Sequence, residues 1–254
     1  MITVHEGAEA IVEICLDNPP LNLVTRALLS QLHVVLCDLE RRDDIRCVIL
    51  HGGTARAFCA GSDIKEFDDL RQDASERKIL FEDYVLRRLG RLPMPTIAAI
   101  DGPALGGGFE IALCCDLRVL RRGVKVGLPE SVLGGLAGNG SVRLARLIGP
   151  GRAKHILFTG LPLNADKALA WGLVEEVVDG SALDAARDLA RIIASRGPIS
   201  NRLAKGLVDR ALDEPLDSAL LASTVAQQRI FDSDDLREGA QAFFGKRNAR
   251  FSGR

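Results

Sequence analysis

The 254-residue chain has no Cys-x-x-Cys pair, no histidines at metal-ligating spacing and no Gly-x-Ser-x-Gly elbow. These absences argue against a metal centre and against serine-hydrolase chemistry. The register of a dinucleotide fingerprint is missing, and so is the Gly-Lys-Ser/Thr ending of a phosphate loop. No charge run of one sign is long, and 33 basic residues offset 34 acidic ones to a net charge of −1. Neither nucleic acid nor an anionic membrane is therefore expected as a partner. The N-terminus carries no basic stretch followed by an apolar one, so no signal or transit peptide is expected. The six cysteines, most of them among aliphatic residues, are expected to be reduced core thiols of a cytoplasmic protein.

What is present fits one large globular domain, alone or with a small appendage: 47% of residues are apolar and 26% charged. Strands and helices alternate in the first half. Ile2–His5 and Ala10–Leu16 read as a hairpin around Glu6-Gly7. Thr25 opens a helix whose stripe is Leu28, Leu29, Leu32, Val35, Leu36 and Leu39. Cys47–Leu50 is a buried strand, and Ile64–Leu70 and Ser75–Leu92 are helical. Leu117–Leu120 and Val124–Leu128 are short strands. Beyond Gly138 the pattern is helical except at Val174–Val178, with Asn164 and Ser181 as N-caps, Gly172 as a C-cap, and Pro198 and Pro215 in first turns. Residues 1–195 are expected to form the core, and 196–254 a helical subdomain without strands. A loose strand–strand–helix recurrence is the only repeat.

The most informative stretch is Ile97–Cys115. It is apolar enough to suggest a membrane span, yet it holds Asp101, Glu110, Pro103 and four glycines. It reads instead as a strand over Thr96–Ile100, a tight glycine turn, and a buried helix from about Gly107. This arrangement aims unused N–H groups and the positive end of a helix at the interior, one turn before Glu110. Interior donors of that kind suit a ligand oxygen that becomes negative during a reaction.

Each feature also has a structural reading. In that reading Glu110 accepts hydrogen bonds from its own first turn, Glu130 is an exposed turn residue, and Gly106-Gly107-Gly108 only lets a helix pack closely on a strand. Ser62 or Asp63 reads as the N-cap of a following helix. Alternatively, Glu110 and Glu130 flank one substrate and divide acid and base roles between them.

Five segments in this order resemble the crotonase (enoyl-CoA hydratase/isomerase) superfamily: Asn18–Asn22, Phe58–Glu66, Ile100–Asp116, Leu128-Pro129-Glu130 and Ala242–Arg247. The resemblance implies an α/β fold, a spiral of ββα units with a C-terminal helical trimerisation subdomain assembling as a homotrimer or homohexamer. It implies an acyl-CoA thioester substrate and no cofactor beyond the coenzyme A of that substrate. By motif, the N–H groups of Ser62 and Gly107 would form an oxyanion hole. Ala60, Asp63, Ile64 and Lys65 would hold the adenine and pantetheine end, and Lys246 would reach a neighbouring subunit's coenzyme phosphates. Glu110 would activate water and Glu130 would exchange a proton with the α-carbon, the hydratase pattern; isomerases and specialised dehydratases (carnitinyl-CoA type) are the alternatives. Two departures stand out. The loop Gly134–Arg143, which holds the substrate-side Gly138, lacks a proline and a glycine common in hydratases and has Val142 in place of a glutamine. Ser62 stands where alanine is usual, with little effect expected because its N–H is what matters. The loop departure points to a polar or branched acyl group.

Overall fold

A computed structural model of the chain describes residues 1–67 and 73–254. Six strands form one sheet: β1 (Ile2–Glu6), β2 (Ile11–Leu16), β3 (Cys47–His51), β4 (Thr96–Ile100), β6 (Leu117–Arg121) and β9 (Glu176–Val178), in that spatial order. Only the β1–β2 pair is antiparallel; the other pairs run parallel. Strands β3 and β4 are buried at every position, as parallel strands covered on both faces must be. On one face Val48, Leu50, Ala98, Ile100 and Leu120 meet α1 (Arg26–Leu39) and the main core. On the other, Cys47, Ile49, Ile97, Ala99 and Val119 meet Ala182, Ala186 and Ala190 of α7 (Ala182–Ala194). Alanine at every fourth position of α7 lets the helix lie close on the sheet.

A smaller sheet of β5 (Ala104–Leu105), β7 (Lys125–Gly127) and β8 (Leu163–Asn164) forms a second layer. Isolated parallel bridges join Val24 to Ser62 and Cys59 to Ala104. The chain therefore winds as a spiral. Each turn lays a long strand in the large sheet, a short strand or bridge in the second layer, and then a helix. The helices of successive turns are α1, α2 (Leu80–Gly90), α3 (Gly107–Leu113) and α4 (Gly138–Ile148). The loose recurrence in the sequence is this winding. After it come α5 (Pro150–Thr159), α6 (Ala165–Trp171), α7, and three terminal helices: α8 (Pro198–Asp213), α9 (Leu216–Asp232) and α10 (Asp234–Phe244). Lys205 of α8 reaches back to the core, donating to Asp116 at 2.8 Å and to the Met94 carbonyl at 3.2 Å.

Several local expectations need correction. The hairpin does not turn at Glu6-Gly7: β1 runs through Glu6, and the chain reverses over residues 7–10, with Glu9 and Ala10 at positive φ. Ser75–Leu92 is helical as expected but only through Gly90, and it opens with a π-helical turn over Ser75–Ile79 before α2 begins at Leu80. Ile64–Leu70 starts as a 3-10 turn over Ile64–Glu66, and its last three residues lie outside the described residues. The caps fare better. Thr25, Asn164 and Ser181 each accept an N–H from the first turn of the helix they open. Among the described residues, no helix is long and apolar enough to cross a membrane. All six cysteines are free, and burial pushes the thiols of Cys47, Cys59, Cys114 and Cys115 up to about 12.

Candidate active site

Consecutive turns of the spiral stack, so second-layer segments far apart in sequence become neighbours. Val24 receives Asp63 N–H at 3.0 Å and gives its own N–H to the Gly61 carbonyl at 2.9 Å. The intervening Ser62 N–H is thereby turned away from that bridge. One turn further on, Gly106 N–H donates to the Gly127 carbonyl at 2.9 Å, and the Gly106 carbonyl accepts from Phe109 and Glu110. Gly107 is the first residue of α3, whose opening N–H groups have no intrahelical acceptor. Among the described residues no protein acceptor faces the N–H of Ser62 or of Gly107.

The glycines allow this approach. Gly106 sits at φ 53°, ψ −133°, a backbone conformation that side chains disfavour. A carbon added to Gly107 would lie 3.6 Å from Ser62 N and 3.1 Å from Ser62 Oγ, so the two segments touch here. A carbon added to Gly108 would lie 2.1 Å from the Cys59 carbonyl oxygen. Close helix–strand packing and a donor-lined turn are thus both served by one glycine run.

Both glutamates stand at this turn. Glu110 is 7% exposed, and its carboxylate accepts Gly140 N–H from α4 at 2.6 Å. It does not cap its own helix. Burial raises its pKa from the ordinary 4.5 to about 7, against the pull of the Gly140 N–H, and the nearby carboxylates Glu82 and Glu130 push the same way. Glu130 begins a 3-10 turn, Glu130–Leu133, and is half-buried rather than exposed. Its Oε1 would lie 3.0 Å from a carbon added to Gly106, and its buried Oε2 has no hydrogen-bond partner. Burial raises its pKa as well, with Glu82 adding to the effect. A cavity of about 490 Å³ opens beside it, lined by Leu128, Glu130, Ser131, Leu136, Leu157 and Phe158 among others. Unpartnered donors, two carboxyls inclined to hold protons and an apolar cavity are the parts needed to move a proton next to a carbonyl whose oxygen gains charge.

Of the remaining predicted residues, Ala60 and Asp63–Lys65 adjoin Ser62, whereas Gly138 and Lys246 lie on other segments. Ala60 donates its N–H to the Leu21 carbonyl at 3.0 Å, and the Asp63 side chain accepts Lys65 N–H, capping the 3-10 turn as its N-cap reading foresaw. Ile64 is exposed. Lys246 follows α10 at φ 50°, with its N–H donated to the Phe243 carbonyl. Gly138 is exposed at the start of α4, with nothing within 4 Å of a carbon added there; Gly140, two residues on, is the one that touches Glu110. Sequence reasoning also missed Lys78 and Glu82, an ion pair at 2.9 Å whose side chains are only 11% and 15% exposed. Their i,i+4 spacing is the same as that of the many surface pairs on helices.

The Glu110 environment has a consequence for stability. The folded protein keeps this proton up to about pH 7, whereas the unfolded chain loses it near 4.5. The contribution is fully present below pH 4.5 and is lost as pH rises through about 7. Urea unfolding at pH 5 and pH 8 is expected to show Glu110→Gln gaining about 2–3 kcal/mol relative to the parent over that interval. Parallel curves would show Glu110 to be ordinary.

Comparison with known proteins gives a concordant picture. Residues 6–254 match the family model described as enoyl-CoA hydratase/isomerase. The short-chain-enoyl-CoA hydratase of Clostridium acetobutylicum is 36% identical over 251 residues, covering 97% of this chain and 95% of that protein. The mitochondrial methylglutaconyl-CoA hydratase of Mus musculus is 34% identical, covering 91% of this chain and 76% of that protein. The crystal structure of an enoyl-CoA hydratase from Bacillus anthracis superposes with a TM-score of 0.95 at 36% identity, covering 100% and 99% of the two chains.

Proposed function

This chain belongs to the enoyl-CoA hydratase/isomerase family and has the crotonase fold, and we propose that it adds water reversibly to a 2-enoyl-CoA, giving a 3-hydroxyacyl-CoA. The observation that carries the reading is that Glu110 and Glu130 both stand at the Gly106–Gly107 turn, beside Ser62. In this reading the N–H groups of Ser62 and Gly107 hold the thioester oxygen. Glu110 takes a proton from a water molecule as its oxygen bonds to the β-carbon, and the double-bond electrons move onto the thioester oxygen as an enolate. A proton from Glu130 then closes the α-carbon. A carboxyl whose pKa is about 7 can both give and take a proton near neutrality, which supports the acid–base pairing. Isomerisation of a 3-enoyl-CoA needs a proton moved between carbons and no bound water; two carboxyls at one turn favour hydration. Ala60, Asp63, Ile64 and Lys65 are proposed to hold the pantetheine and adenine end, with Gly138 beside the acyl group. Lys246 would serve a neighbouring subunit's coenzyme in a trimer or hexamer, the helices of residues 196–254 forming the contact.

The test is turnover of crotonyl-CoA followed by loss of its conjugated-thioester absorbance, run beside a 3-enoyl-CoA. Hydration predicts rapid loss with crotonyl-CoA. A gain of conjugation with the 3-enoyl thioester, and none lost with crotonyl-CoA, would make the protein an isomerase.

A further inference from the structure

Buried ion pairs rarely repay their own desolvation, and an apolar pair of the same shape is often as stable. Lys78 and Glu82 are such a pair, and they sit at the proposed thioester site. Lys78 Nζ donates to Glu82 Oε2 at 2.9 Å and lies 3.5 Å from Ser62 Oγ. Glu82 Oε1 would be 3.6 Å from a carbon added to Gly107. The ammonium also lies over the Phe67 ring, 5.7 Å from ring centroid to Nζ. One donor and one acceptor are thus held together next to the two N–H groups proposed to grip the thioester oxygen.

We propose that Lys78 and Glu82 form a polar subsite that selects acyl thioesters carrying an uncharged hydroxyl close to the double bond. The inference rests on the hydratase reading for the position of the thioester oxygen. A hydroxyl can donate to Glu82 and accept from Lys78 at once, whereas a plain alkyl chain desolvates both charges without replacing those contacts. A carboxylate in the same place would meet the Lys78 ammonium but also, among the described residues, the acidic groups of Glu82, Glu110 and Glu130, which interact electrostatically here. The ordinary surface role of an i,i+4 pair does not account for the burial of both partners.

The experiment measures affinity with saturated thioesters, which cannot be hydrated, and turnover with their unsaturated counterparts. Calorimetry would compare butyryl-CoA, 4-hydroxybutyryl-CoA and glutaryl-CoA on the intact protein and on the isosteric, charge-free Lys78→Met/Glu82→Leu variant. The hydroxyl thioester should bind at least about tenfold more tightly than butyryl-CoA, as hydrogen bonds to charged groups imply. Glutaryl-CoA should bind worst, and the variant should bind butyryl-CoA as well as the hydroxyl form. Equal binding of all three, tightest binding of glutaryl-CoA, or a hydroxyl preference that survives in the variant would each overturn the proposal. Glu82→Gln, which keeps the shape, should lose part of the preference if the double variant fails to fold. Crotonyl-CoA and 4-hydroxycrotonyl-CoA turnover separates the two claims. Hydration without a hydroxyl preference removes the subsite alone, and a hydroxyl preference in binding without turnover of either thioester removes the hydratase reading alone.

Discussion

Glu130→Gln should lower kcat on a good 2-enoyl-CoA at least about a hundredfold, with acyl-CoA affinity within a few-fold of the parent, and Glu110→Gln should do the same. Both substitutions keep the size of the side chain and remove the proton it exchanges. Glu130 has the simpler surroundings, since its buried Oε2 has no hydrogen-bond partner. Glu110 differs because its carboxylate accepts Gly140 N–H at 2.6 Å. An amide can still accept that bond through its oxygen, so the loop that begins α4 should stay in place. Steady-state kinetics together with calorimetric binding of a saturated thioester separate the two effects. Full activity in Glu130→Gln would remove Glu130 from the proton path, and loss of binding without loss of kcat would make either residue a substrate ligand only.

Gly108→Ala, the glycine whose added carbon meets the shortest contact, should cost at least about 3 kcal/mol of stability and abolish turnover. The added carbon would stand 2.1 Å from the Cys59 carbonyl oxygen and 2.6 Å from Cys59 Cβ, and neither belongs to a flexible side chain. Cys59 bridges to Ala104 and its carbonyl accepts Leu105 N–H at 3.0 Å, so it cannot retreat without opening the second layer. Relief would require α3 to move away from the Phe58–Asp63 loop, which pulls Gly107 from Ser62. The same substitution at Gly206, within α8 and with nothing within 4 Å of the added carbon, should instead stabilise by about 0.5–1 kcal/mol, because alanine loses less backbone freedom on folding. Denaturant titration of both variants is the measurement. If Gly108→Ala were as stable as the parent, the close approach that brings the two N–H groups together would not exist.

The sequence by itself determined whatever depends on neighbouring residues. Thr25, Asn164 and Ser181 cap their helices, and the leucine stripe of α1 faces the core, because a cap or a stripe needs only its own first turn or its own 3.6-residue period. The strand–turn–helix of Thr96–Leu113 was legible for the same reason: four glycines and a buried glutamate allow few backbone paths. The π-helical turn at Ser75–Ile79 was not legible, since its composition is that of an ordinary helix.

Only the tertiary structure decided what the glutamates touch. Whether Glu110 would cap its own helix or reach another segment was undecided in the sequence, and Gly140, thirty residues on, settled it by placing its N–H 2.6 Å away. Lys78 and Glu82 show the limit most clearly. An i,i+4 pair has the same spacing whether it faces solvent or the interior, and only the fold places Glu82 against Gly107 and buries both side chains. The physical reason is the spiral: stacking one turn on the next brings Ser62 to Gly107, and that juxtaposition belongs to no local segment of the chain.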